Sequence, residues 1–146
     1  MAKKEKVEKQ EKQEKQEKTE KKKDFLDTIH LKKVVLQKIN AERIPVPDST
    51  ENMDLKTDWS YDTNIHEKLL IITAKAAIHF MPEAFMKINA EYEIVFESEV
   101  TIKEEVIKEN MESLLQPCCS MNTLLVGEIT ERMMGNPLIV SPFVEL

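Results

Sequence analysis

Between Met53 and Ile65 two kinds of residue change places at every step. Met53, Leu55, Thr57, Trp59, Tyr61, Thr63 and Ile65 alternate with Asp54, Lys56, Asp58, Ser60, Asp62 and Asn64. A helix repeats every 3.6 residues and cannot hold such a set on one face, whereas a strand repeats every two and does. This stretch is therefore a strand with one wet face. The next, KLLIITAKAAIHF, places Leu70, Ile72, Ala74, Ala76, Ile78 and Phe80 on one side. After the short connection MPEA, Met86, Ile88, Ala90, Tyr92, Ile94 and Phe96 alternate with Lys87, Asn89, Glu91 and Glu93. Three such runs joined by short turns predict an antiparallel meander, apolar on one face, polar and substantially acidic on the other.

Downstream the period changes. Thr101 and Glu104 are spaced as a capping box, and Ile102, Val106, Ile107, Met111, Leu114 and Leu115 recur at three and four residues, which predicts a helix that Pro117 stops. A second helix is expected from about Ser120, with Met121, Leu125, Ile129 and Met133 on its inner face and Gly135 as its left-handed cap. Upstream, residues 25–44 fit two periods: Phe25, Ile29, Leu36 and Ile39 suit a helix, while HLKKVVLQKI suits a strand rich in branched residues. With that segment as a strand the order is ββββαα. The fold class is then α+β: a four-stranded antiparallel sheet, two helices and an apolar C-terminal segment.

Charge divides the chain in two. Residues 1–23 hold ten Lys and six Glu, a balance of +4, so the total of −6 leaves −10 for residues 24–146. The repeat EKVEKQEKQEKQEKTEKKK has a period of about three and one apolar residue, Val7, so no stripe exists to bury. Residues 1–23 are expected to be a disordered tail or a transient solvated helix, and residues 24–146 to be the domain. So acidic a body repels nucleic acid and anionic membrane surfaces and favours basic or unfolded cationic partners. No apolar run reaches the roughly 20 residues of a membrane span and no signal peptide opens the chain, so a cytoplasmic protein without membrane insertion is expected. The adjacent Cys118 and Cys119 are poorly spaced for a disulfide, too few for a zinc site, and suit a reducing compartment.

Catalysis needs converging groups, and the sequence offers none. His30, His66 and His79 fall on different elements with no acidic partner at metal-ligand spacing. No nucleophile elbow, phosphate loop or dinucleotide fingerprint is present, and two glycines, Gly127 and Gly135, leave little for a phosphate cradle. Cys119 reads as a small buried hydrophobe, not as a nucleophile. Neither enzyme activity, metal nor cofactor is expected.

What remains is the ending, MMGNPLIVSPFVEL, an apolar stretch that Pro137 and Pro142 keep from being a helix or a regular strand. Together with the Cys-led helix PCCSMNTLLVGEI and the acidic four-stranded body, GNPLIVSPF resembles the SecB export-chaperone family. The resemblance runs from Leu31 to Val144 as an order of elements and over the final thirty residues as a motif. It implies a segment lining a groove for unfolded polypeptide, with Met134, Leu138, Ile139, Val140 and Phe143 as client-binding residues. It further implies a homotetramer, a dimer of dimers, and acidic residues on the outer sheet face, Asp58, Glu91 and Glu93, that would dock the motor SecA. Three departures weigh against motor docking. The second helix is several residues shorter than the family's, the arginine usual inside it falls near Gly127, and the family's C-terminal helix and mobile tail lie beyond Leu146. The resemblance thus implies an ATP-independent holdase serving protein export. A dedicated chaperone for an antitoxin or an assembly client on the same fold is the alternative, and a small-ligand domain with a pocket between sheet and helices is a third.

Overall fold

The structure is a computed structural model describing residues 2–46, 48 and 52–146, with side chains for 7–16 and from 25 onward within those ranges. Its elements are α1 (Ala2–Thr28), β1 (Ile29–Ile44), β2 (Asp54–His66), β3 (Leu69–Met81), β4 (Phe85–Ser98), α2 (Glu104–Glu109) and α3 (Met111–Met134). The strands form one antiparallel sheet in the order β1-β4-β3-β2. The meander β2-β3-β4 is as the alternation predicts, and β1 returns to pair with β4. The β2–β3 turn takes two residues, Glu67 and Lys68, with Glu67 at φ 54°, as tight hairpins favour.

Residues 29–44 are a strand, which resolves the ambiguity upstream. Register shifts between Leu31 and Lys33 and between Leu36 and Lys38 break its period of two, and that is why its pattern also fits a helix. Residues 2–28 form a helix, one of the two forms expected for the tail. The physical reason is local. Glu8 precedes Lys12 and Glu11 precedes Lys15 by four residues, the favourable orientation for helical ion pairs, and Glu, Lys and Gln are good helix formers. The side chains of 7–16 are all exposed, so no packing supports this stretch, and among the described side chains of α1 only Phe25 and Leu26 in the last turns pack on the core.

One face of the sheet carries the core. Leu70, Ile72, Ala74, Ala76 and Ile78 of β3 and Met86, Ile88, Ala90, Tyr92, Ile94 and Phe96 of β4 are buried under α3. Here the helix boundaries correct the sequence-based expectation. Lys103 caps α2 without a side-chain hydrogen bond, so the Thr101–Glu104 box does not form. The break falls at Asn110 (φ −112°, ψ 11°), whose amide donates to the Val106 carbonyl at 2.8 Å, and α3 continues through Pro117 for 24 residues. Proline lacks one N–H and crowds the carbonyl four residues back, costing about 3 kcal/mol in a helix interior. That carbonyl belongs to Ser113, on the exposed side of the helix, while Leu114, Leu115, Cys118 and Cys119 bury the opposite face. Burial outweighs the local penalty.

The inner face of α3 also differs from expectation. Met121, Leu125, Ile129 and Met133 are half-buried flank, and the fully buried line runs through Cys118, Cys119, Asn122, Val126 and Thr130. Asn122 and Thr130 lie beneath the helix because each has a partner there. Tyr92 donates its hydroxyl to Asn122 Oδ1 at 2.7 Å, and Thr130 donates to the Val126 carbonyl at 2.7 Å. Gly135 closes the helix at φ 86°, as predicted.

Candidate functional site

The C-terminal segment runs back along α3 on the side facing β2, held by three helix side chains. Thr130 Oγ1 accepts the Leu138 N–H at 2.8 Å. The Thr123 hydroxyl stands 3.3 Å from the Ser141 carbonyl, 3.4 Å from that of Val140 and 3.1 Å from that of Cys119 in its own helix, and its single proton serves one at a time. Gln116 donates Nε2–H to the Pro142 carbonyl at 2.6 Å. These contacts all reach backbone, so that much of the segment's main chain is already engaged.

Anchored this way, the predicted client-binding residues part company. Val140 is 4% exposed and belongs to the core with Val144, and it lines the trough described next only from beneath its more exposed neighbours. Ile139 and Phe143, at 84% and 68%, face outward. With Leu55, Thr57 and Trp59 of β2 they border a trough of about 540 Å³, to which Lys56, Asp58 and Glu145 add charge. Trp59 leans on Tyr92, ring centres 6.3 Å apart, so the floor of the trough is tied to the core. Leu138 and Met134, both half-buried, border a second hollow of about 390 Å³ on the other side of the segment, with Phe80 and Phe85. The sequence reading grouped five residues in one groove, and the fold divides them between two.

The outer face of the sheet is mixed, not acidic. Across it the register sets Lys38, Glu91, Lys75 and Ser60 in one row and Glu42, Lys87, His79 and Lys56 in another. Glu93 meets Lys33 at 3.2 Å, Asp58 meets His79 at 2.8 Å, and Glu91 stands between Lys38 and Lys75. Asp58, Glu91 and Glu93 do share this face, yet each has a cationic or ionisable base beside it. Alternation identifies the face from sequence but not the cations that two neighbouring strands bring to it.

The two thiols are buried and free. Both reach the Leu115 carbonyl, Cys118 at 3.0 Å and Cys119 at 3.3 Å. The neighbouring Cys119 side chain, and burial besides, push the Cys118 pKa up and keep the thiol protonated. Among the described residues no group of three or more His, Cys, Asp or Glu is placed to hold a metal ion. Nor is any described helix long and apolar enough to cross a membrane.

The fold is that of a SecB-like chaperone. It is similar to the SecB-like chaperone Rv1957 of Mycobacterium tuberculosis, solved in complex with a ChAD peptide from the Rv1956 HigA1 antitoxin, at a TM-score of 0.68 and 10% identity, covering 80% of this chain and 91% of that one. A protein of unknown function from Streptococcus agalactiae aligns at a TM-score of 0.55 and 15% identity, over 81% of this chain and 97% of its own. No protein-family model and no curated protein matches the sequence.

Proposed function

We propose that the chain is an ATP-independent holdase that keeps unfolded polypeptides, export precursors among them, from aggregating in the cytoplasm. The observation that carries this reading is the placement of Ile139 and Phe143, outward-facing across a trough from Leu55 and Trp59 on a backbone that α3 holds in place. Apolar side chains presented on a rigid support gain by being covered, at ~25 cal/mol per Å² before ordering costs. Such contacts are weak singly and tolerant of client sequence, and they need no nucleotide or other cofactor. The likeness in fold to a chaperone supports the reading.

A dedicated client is the second reading, favoured by one observation: the mycobacterial chaperone of the same fold was solved holding an antitoxin peptide. Docking to SecA through Asp58, Glu91 and Glu93 has less support, because a basic partner would compete with Lys33, Lys38, Lys75 and His79 for those carboxylates.

The test measures aggregation of several unrelated denatured proteins with the wild type and with Ile139→Ser, Phe143→Ser and Val140→Ser. Suppression across many substrates is expected, and a single responsive one selects the dedicated reading. Ile139→Ser and Phe143→Ser should weaken suppression while shifting stability by under about 0.5 kcal/mol, as exposed positions do. Val140→Ser should cost about 1–3 kcal/mol, since it buries a hydroxyl and opens a gap. If the three variants lose stability and suppression in proportion, the segment is only structure and the reading fails.

A further inference from the structure

The second hollow has a feature that the trough lacks. Its walls are apolar, with Phe80 and Phe85 meeting edge-on at 5.4 Å and Met134 and Leu138 opposite, and Arg43 is the sole charged residue among those bordering it. Arg43 lies near the end of β1 opposite Met86, on the core side of the sheet, and is exposed. Among the described residues its guanidinium has no ion pair or hydrogen bond, not even to the carbonyls that end α3. The chain's other arginine, Arg132, is tied to Glu128 at 2.9 Å. An exposed planar donor without a protein partner among the described residues, at the lip of an apolar hollow, stands out on a body whose overall charge repels carboxylates.

We propose that this hollow takes a large apolar side chain of a bound polypeptide whose neighbouring residue carries a carboxylate, and that Arg43 grips the carboxylate. The inference rests on the holdase reading and names a client preference within it: acidic residues beside aromatic or large aliphatic ones. Guanidinium matches a carboxylate with two parallel hydrogen bonds, and apolar walls strengthen the pair by thinning the water around it. Elsewhere on the domain the same carboxylate meets net repulsion, so a preference for acidic flanks has to be local to Arg43.

The experiment uses the full chain and three fluorescein-labelled unstructured peptides, identical except that Asp, Asn or Lys flanks a single Phe, with binding read by fluorescence polarisation at low ionic strength. The Asp peptide is expected to bind up to about fivefold tighter than the Asn peptide. In Arg43→Gln the Asp peptide should become no tighter than the Asn peptide, Arg43→Lys should keep part of the preference, and Arg132→Gln should keep all of it. Equal binding of the Asp and Asn peptides by the wild type overturns the proposal, as does a preference that survives Arg43→Gln. Those results leave the holdase reading standing; failure to bind any of the three peptides overturns both.

Discussion

Tyr92 sits in the middle of β4 with its ring fully buried and its hydroxyl donating to Asn122, while Cys118 and Cys119 lie close enough to oppose its ionisation. Burial first, and the two thiols second, raise its pKa well above the ordinary tyrosine value. In the unfolded chain a tyrosine ionises near pH ~10. Because the folded value is the higher one, the stabilisation is complete below that pH and is lost as pH rises further, when the unfolded state alone releases the proton. Tyr92→Phe should therefore cost about 1–3 kcal/mol at neutral pH, by leaving Asn122 Oδ1 buried without its donor, yet lose less additional stability above pH ~10 than the wild type. Urea midpoints across that range decide it, and parallel curves would mean that Tyr92 ionises in the native protein. At this scale the sequence was half legible. Alternation put Tyr92 inside, but nothing in the pattern singled out Asn122, because hydrophobicity cannot register a polar pair whose other half is 30 residues away.

Elements with one apolar face were legible, and those shaped by something else were not. β2, β3 and β4 each keep unbroken alternation, so their pairing followed from pattern alone. β1 hid behind two register shifts, and α3 behind a proline that packing overrides. Pro117→Ala restores a donor for the Ser113 carbonyl and is expected to raise stability by about 1–3 kcal/mol by chemical denaturation; no gain would mean that the proline's bend is needed by the packing beneath. The charged helix α1 makes the opposite case. Deleting residues 1–23 should change stability by under about 1 kcal/mol, whereas a deletion extended through Leu26 removes two side chains packed on the core and should cost clearly more. A large loss from the shorter deletion would show that α1 packs on something along its length. The C-terminal segment was partly legible from its apolar residues and two prolines. Its division into two hollows was not, because Phe80, Phe85, Arg43 and Met134 converge from four separate stretches of chain.

Across the whole molecule, apolar surface is left over. Leu31, Leu36 and Ile39 of β1 lie on the core side of the sheet yet stay at least 36% exposed, and Leu124, 77% exposed, stands on the helix's outer side. A chain of 17.0 kDa has no further element among the described residues to cover them. Association into a tetramer is expected, covering this surface and the free β1 edge together. Light scattering at micromolar concentration should give about four times the chain mass, and a clean monomer would sink that architecture. The way α3 holds the terminal segment carries a separate consequence. The hydrogen bonds from Gln116, Thr123 and Thr130 to the segment all engage its main chain, so they are indifferent to which side chains it displays outward. Positions 139 and 143 are thus free to drift under selection without unseating the chain around them, and a lineage can retune the apolar surface it presents by point mutation while its scaffold stays fixed.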